Sequence, residues 1–350
     1  MNILLVEDDK DSVESCKEFA ELYDRDINIV VANSLDEAKL CLNKDIDTAI
    51  IDIKLGTVSD AGNYVIDEIN TLSLRIPTVI HTGTPANVTA TALKVFTRGE
   101  NTYEEIFDYL FGVYNTGITE LLGRKGIFEK KLKIFYENCF LSDLDTWVQY
   151  GNSDSEATQK ALFRYAVNNI FQLIDNDSDA YYPEEVYTYI SDNKNISTGS
   201  LVKNQQNNFF IVLSPACDLA LRQTGDFKTD SIHLVEVESI QKIEMEKFSA
   251  ISSNCKNVGK NKNNLMKSIW TNTDTLYYHW LPKTNLFEGG VINFRKILTI
   301  RKDELTNYSI LNIRVSPYFC RDIVSRFSSY YARQGQPEII YEKYMYQENK

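Results

Sequence analysis

Residues 48–56 read TAIIDIKLG. Thr48–Ile53 is apolar or β-branched throughout, with one interruption, Asp52. A strand apolar at consecutive positions is buried on both faces, the signature of a parallel sheet covered by helices on each side. Outward from it, Asn2–Val6 and Pro77–Thr82 have the same character, and Ile27–Ala32 and Lys94–Arg98 complete a set of five strands. Amphipathic stretches separate them. Asp11 with Glu14 and Ser34 with Glu37 have capping-box spacing, which predicts one helix with Val13, Cys16, Phe19, Ala20 and Tyr23 inward and another running through Leu42. A third helix is expected over about Tyr64–Leu72 and a short one over Ala86–Leu93. Alternation of strands with helices gives an α/β fold, a doubly wound five-stranded parallel sheet.

In such sheets, ligands bind outside the carboxyl ends of the strands. The polar residues fall there. Glu7, Asp8 and Asp9 follow the first strand, Asp52 ends the third, Thr82 the fourth and Arg98 the fifth. Carboxylates converging on one point need a counter-ion, and a hard divalent cation that keeps several waters, Mg²⁺, fits them.

The blocks ILLVEDD (3–9), AIIDIKLG (49–56) and PTVIHTGT (77–84) resemble the signature blocks of response-regulator receiver domains, over roughly residues 1–115. Asp8 and Asp52 are 44 positions apart and Asp52 and Thr82 are 30 apart, both ordinary for that family. The resemblance implies a flavodoxin-like fold. It implies that Asp52 accepts a phosphoryl group from the phosphohistidine of a histidine kinase or kinase-like ATPase. It further implies that Glu7, Asp8, Asp52 and the Lys54 main-chain carbonyl hold Mg²⁺, that Asp9 adds negative potential, and that Thr82 contacts the phosphoryl group. The family places a lysine at the end of the fifth strand. Here the match is Arg98, with Lys94 as the alternative. The span Thr82–Arg98 is 16 positions, short for the family, so a truncated fourth helix is expected. The position often held by a switch aromatic falls near Val95 and Phe96.

Charge divides the chain. Residues 1–123 hold 22 acidic and 9 basic side chains, and residues 124–350 hold 27 and 28. A neutral remainder lacks the basic footprint of a DNA-binding output domain. The six cysteines form no CxxC pair, and the histidines are only His81, His233 and His279, so local zinc motifs are absent and the thiols are expected reduced. With no signal-peptide pattern and no long apolar run, the expected location is the cytoplasm, with no membrane association.

Residues 116–182 are expected to form a helical connector. Asn101 and Glu104 have capping-box spacing, Gly112, Gly117, Gly123 and Gly126 are expected to break the helices, and a further helix is expected over about Glu156–Ile174. The basic run Arg124, Lys125, Lys130, Lys131, Lys133 reads as a solvated face, and Asp175–Asp179 as a boundary.

Residues 183–350 turn to strands: Phe209–Ser214, Ile232–Ile240, Tyr277–Leu281, Val291–Ile300 and Ile310–Ser316, closed by a helix from Pro317 to about Arg333. A β-rich α+β domain follows, a small twisted barrel or an open sheet. Lys242–Lys267, with six Lys against two Glu, reads as a mobile insertion or a weak polyanion-binding loop. The text VLSPACDLA with TGSLV, HWLP and YYARQGQP resembles uncharacterised C-terminal domains of bacterial, defence-associated gene clusters, and Thr198–Gly199 before a strand is loosely similar to small-barrel toxin ribonucleases. Cys217, Asp218 and Arg222 are the candidate C-terminal site, beside His233 and His279. The expected function is an atypical response regulator that switches a C-terminal domain without a helix-turn-helix, through an unknown protein partner. The alternative is a receiver-regulated nuclease or toxin-like effector in phage defence. Nucleic acid is not indicated as a partner, and the oligomeric state is open.

Overall fold

The computed structural model describes residues 1–23, 26–42, 45–123, 126–174, 180–190, 196–222, 225–251, 258–333, 337–338 and 340. It divides into two compact units, Met1–Asp177 and Ser178–Lys350.

The first unit is built on five parallel strands, β1 (Asn2–Val6), β2 (Asn28–Ala32), β3 (Thr48–Ile51), β4 (Thr78–Thr82) and β5 (Lys94–Thr97), in the order β2-β1-β3-β4-β5. That is the flavodoxin-like doubly wound order. On one face, α2 (Leu35–Cys41) and α3 (Ala61–Thr71) bury Ala38, Val65, Ile66 and Ile69 against Leu4, Ile51 and Ile80. On the other, α1 (Lys10–Tyr23) and α4 (Tyr103–Tyr114) bury Cys16, Ile106, Phe107 and Leu110 against Ile3, Leu5 and Ile50. Ile50, Ile51 and Ile53 are fully buried. Each contributes roughly 1.5–3 kcal/mol of transfer free energy. The apolar run first quoted is thus the central strand of the core.

Several expected boundaries shift. Asp9, not Asp11, caps α1: its carboxylate accepts from the Ser12 N–H (3.2 Å) and hydroxyl (2.9 Å). The capping box of α4 is Thr102 with Glu105, one position beyond Asn101 and Glu104. Ser34 caps α2 as expected. No α-helix forms over Ala86–Leu93. A 3₁₀ turn (Pro85–Asn87) leads into a non-helical segment whose Val88, Ala90 and Leu93 pack on the α2–α3 face of the sheet. Val88, Thr89 and Thr91 are β-branched and lose rotamer freedom in a helix. Asn63, a buried polar side chain, supplies the hydrogen bonds a helix would have made. Its amide donates to the Asn87 carbonyl (2.9 Å), and its oxygen accepts from the Thr89 N–H (3.2 Å) and hydroxyl (3.0 Å).

The helices α5 (Ile118–Leu122), α6 (Ile127–Phe135), α7 (Leu144–Ser153) and α8 (Ser155–Ile174) complete this unit. Gly117 takes a left-handed φ of 76° before α5, and Gly123 and Gly126 separate α5 from α6, but Gly112 lies inside α4 and does not break it. Thr119 of α5 donates to the Asp47 carbonyl (3.3 Å), at the amino end of β3. Of the basic run, Lys131 donates to the Leu173 carbonyl at the end of α8 (3.0 Å) and Lys133 pairs with Glu137. Arg124, Lys125 and Asp175–Asp179 lie outside the described residues.

The second unit is a seven-stranded antiparallel sheet curled into a half-barrel. Its strands are β6 (Tyr187–Tyr189), β7 (Ser200–Asn204), β8 (Phe209–Val212), β9 (Ser231–Glu238), β10 (Tyr278–Leu281), β11 (Gly290–Arg301) and β12 (Tyr308–Val315), in the order β10-β11-β9-β8-β7-β12-β6. Register breaks in β11 (Ile292/Ile297) and β12 (Ile310/Arg314) bend the long strands. A short α9 (Ala216–Leu219) follows β8, and α12 (Pro317–Tyr331) packs Cys320 and Ile323 on the core of Leu201, Ile211, Val235 and Phe294.

The described parts of Lys242–Lys267 are helical, not a loose insertion: α10 (Ile240–Ile251) and α11 (Val258–Trp270). Ile243, Met266 and Ile269 are buried against Tyr278 and Val291. Several lysines there are engaged. Lys242 binds Glu238 (2.6 Å), Lys247 pairs with Asp274, and Lys262 lies 4.7 Å over the Phe248 ring. Lysine and asparagine content reads as a mobile insertion or a weak polyanion-binding loop; the three-residue spacing of its apolar side chains carries the helices.

Candidate functional site

Strand pairing aligns the carboxyl ends of the central strands. Val6 pairs with both Ala32 and Ile51, and the ladder extends one step beyond the strands. Glu7 N donates to the Ala32 carbonyl (3.0 Å), Asp52 N to the Val6 carbonyl (2.9 Å), and Arg98 N to the Thr82 carbonyl (3.0 Å). Main-chain bonds therefore fix Glu7, Asp52 and Arg98 at one end of the sheet. Gly62, at the start of α3, closes the site from behind. Its N–H donates to the Ile53 carbonyl (2.9 Å), and a Cβ there would stand 2.2 Å from the Asp52 carbonyl oxygen.

Ligand oxygens of Glu7, Asp8 and Asp52 lie within 4.8 Å of one another. Glu7 and Asp52 are buried; Asp8 is exposed. Asp8 Oδ2 accepts from the Gly56 N–H (2.9 Å), at a glycine whose φ of 60° suits the turn after β3. Glu7 Oε1 accepts from the Asp9 N–H (3.0 Å). Arg98 is in the cluster: its Nη2 bonds Glu7 Oε2 and stands 2.9 Å from Asp52 Oδ2. Lys94 is at the other end of β5, over the Phe96 ring. Asp52 Oδ1 and Arg98 Nε are buried without hydrogen-bond partners among the described residues.

Electrostatics follow from burial. Desolvation pushes the Glu7 carboxyl up to about 7, against the lowering effects of the Asp9 N–H and Arg98. Burial first, and Arg98 second, push His81 down to about 4. Its ring meets Tyr103 edge-on at 5.0 Å. His81 and Tyr103 are neighbours of the site that motif reading passed over; a buried histidine one residue before Thr82 was the available signal.

Thr82 is fully buried, and its hydroxyl engages Thr84: 3.2 Å to Oγ1, and accepting from the Thr84 N–H at 3.2 Å. Lys54 is exposed, two residues beyond Asp52. Asp9 serves α1 as its cap. A pocket with three converging carboxylates, one carrying a buried oxygen without a donor, fits a divalent cation coordinated by oxygen.

The C-terminal candidates do not assemble into one site. The Cys217 thiol is exposed, 3.7 Å from Asp218 Oδ1, and Asp218 pairs loosely with Lys228 (3.8 Å). Arg222 is exposed, and its main-chain N–H donates to the Asp226 carbonyl (2.9 Å). His279 is buried, 3.7 Å from Asp322. Asp218 and His233 instead share a groove of about 960 Å³ with Thr198, Arg314 and Phe327. Arg314 Nη1 donates to the Ser197 hydroxyl (3.0 Å).

Solved receiver domains are structural neighbours of the N-terminal third. The receiver domain of the Francisella response regulator 1452 is 17% identical, with 33% of this chain and 97% of that chain covered and a TM-score of 0.29. A CheY-like response regulator receiver domain from Methanospirillum hungatei JF-1 is 17% identical, with coverages of 33% and 94% and a TM-score of 0.28. The N-terminal domain of a response regulator/sensory box/GGDEF 3-domain protein from Carboxydothermus hydrogenoformans is 19% identical, with coverages of 34% and 99% and a TM-score of 0.28. No protein-family model and no curated protein matches the sequence. No helix among the described residues is long and apolar enough to cross a membrane.

Proposed function

We propose that the first unit is the receiver of an atypical response regulator in two-component signalling, with Asp52 as its phosphoryl acceptor and a histidine kinase or kinase-like ATPase as donor. The observation that supports this reading is the buried, donor-free Oδ1 of Asp52 beside the Glu7 and Asp8 carboxylates. Asp52 Oδ1 forms the new O–P bond as the N–P bond of a phosphohistidine breaks, and the imidazole nitrogen keeps the electron pair. The β3 ladder and Gly62 hold Asp52 in place, and Arg98 stands ready to neutralise charge on the transferred group. Glu7, Asp8, Asp52 and the Lys54 carbonyl would hold Mg²⁺, which supplies charge neutralisation when bound. Thr82 would turn from Thr84 to the phosphoryl oxygens, and Asp9 adds negative potential. On this reading the domains are the receiver (1–115), a helical connector (116–182) and a C-terminal output domain (183–350), acting in the cytoplasm on a protein partner.

Labelling with acetyl phosphate or a phosphorylated kinase tests it. Wild type is expected to incorporate phosphate with the lability of an acyl phosphate, and Asp52→Ala none. Unchanged labelling of Asp52→Ala would sink the proposal.

A second reading rests on the C-terminal groove. Asp218, His233 and Arg314 place a carboxylate, an imidazole and a guanidinium around one concavity, the elements of phosphodiester cleavage. A chain inert on RNA and DNA, with and without divalent metal, removes this reading and leaves the groove as a binding surface for the output partner.

A further inference from the structure

The candidate cation pocket already contains a cation. Arg98 Nη2 bridges Glu7 Oε2 and Asp52 Oδ2, the second at 2.9 Å. The remaining Glu7 oxygen is taken by the Asp9 N–H, and Asp8 Oδ2 by the Gly56 N–H. Of the two buried carboxylates of the pocket, only Asp52 Oδ1 is left without a donor among the described residues. A divalent ion draws oxygens from more than one carboxylate, so it can use Glu7 or the second Asp52 oxygen only where the guanidinium lets go.

The guanidinium is also poorly satisfied where it stands. Its Nε is buried with no acceptor among the described residues, and its side chain is one-quarter exposed. An arginine with an unmet donor and an open side has little to hold it once its carboxylates find a better partner. Its charge is permanent, so displacement, and not deprotonation, is its way out.

We propose that Arg98 is a displaceable internal counter-cation: it and a divalent ion compete for Glu7 and Asp52, and ion entry frees the guanidinium for an incoming anion. This rests on the reading of the pocket as a divalent-cation site. It adds that the cation-free pocket is held shut by a residue of this chain, at the position where the related lysine would stand.

The test is Mn²⁺ binding to the full, unphosphorylated chain, followed through the electron paramagnetic resonance of free Mn²⁺. Arg98→Ala is expected to bind at least tenfold more tightly than wild type, and Arg98→Gln to do the same should the alanine variant fold poorly by its thermal transition. Lys10→Gln, which removes an exposed charge at the start of α1, is expected to change affinity less than twofold. In wild type, Mg²⁺ is expected to shift the Arg98 Nε–H resonance along the same saturation curve as binding. Equal or weaker binding in both Arg98 variants overturns the proposal alone, as does equal tightening in Lys10→Gln or a resonance indifferent to Mg²⁺. Absence of binding in every chain overturns the cation pocket and the proposal together, and leaves phosphoryl labelling of Asp52 as a separate question.

Discussion

Glu7 carries the clearest pH signature. Burial raises its carboxyl from 4.5 to about 7 in the fold. A raised carboxyl favours the folded state in its protonated form. That stability is present in full below about pH 4.5 and is lost as pH climbs through 7. In metal-free buffer, wild type is therefore expected to lose about 3 kcal/mol relative to Glu7→Gln between pH 4.5 and 8, because a tenfold change in proton affinity corresponds to about 1.4 kcal/mol. Urea denaturation of both chains across that range checks it; parallel curves would show that Glu7 is ionised throughout. Gly62 is the second sensitive residue. Its Cβ in Gly62→Ala would stand 2.2 Å from the Asp52 carbonyl oxygen, backbone that has no room to move. The substitution is expected to destabilise the first unit by about 2–4 kcal/mol, and to cut phosphoryl labelling even where the chain is folded. Asp52 itself was legible from its place at the end of an apolar run. The contact of Gly62 was not, because it depends on the distance between two backbones that no residue pattern encodes.

At the scale of elements, the segment between β4 and β5 departs furthest from expectation. Spacing suggested a short helix. The structure replaces it with a pinned non-helical segment, since Asn63 meets both Asn87 and Thr89. Asn63→Ala leaves these partners without their bonds and is expected to cost about 2–3 kcal/mol in chemical denaturation, with faster amide exchange confined to residues 87–93. Exchange spread evenly over the unit would show that the clamp is not local. Asn63 escaped notice because an asparagine in a helix usually reads as a surface residue. In the half-barrel, Gly199 (φ 87°) joins two strands: its N–H donates to Val212 (2.8 Å), its carbonyl accepts from Val315 (2.9 Å), and a Cβ would meet Cys320 Sγ at 2.9 Å. Gly199→Ala is expected to lower the thermal midpoint of the second unit alone, read through Trp270 and Trp280, while Asp52 labelling is unchanged. The strands of that sheet were largely legible from their apolar runs. Helices α10 and α11 were not, because lysine and asparagine content masked a sparse apolar stripe.

Across the whole molecule, each unit buries one histidine held down to about 4: His81 in the first and His279 in the second, both chiefly by desolvation. A base lowered in the fold lends stability that is complete above about pH 6.5 and is lost as pH falls toward 4. Acid should therefore weaken the second unit through His279, while in the first unit the gain from protonating Glu7 offsets the loss at His81; replacement of either histidine by phenylalanine should make its own unit more acid-resistant and leave the other unchanged. Separate calorimetric transitions at pH 7 and pH 4.5 would report this; a single transition that either substitution moves as a whole would contradict it. The change from acidic to neutral composition falls after residue 123, inside the first unit, and does not mark the division into units after Asp177. Gly62 carries a last consequence, which is mechanical. It touches Asp52 through its backbone, and the next residue, Asn63, grips the 87–89 segment. Asp52 is thus linked to an outer strap by two consecutive residues of one helix, with no long side chain between to act as a spring. A displacement of the Asp52 main chain would therefore reach residues 87–89 through backbone and one short amide, with few rotatable bonds to absorb it.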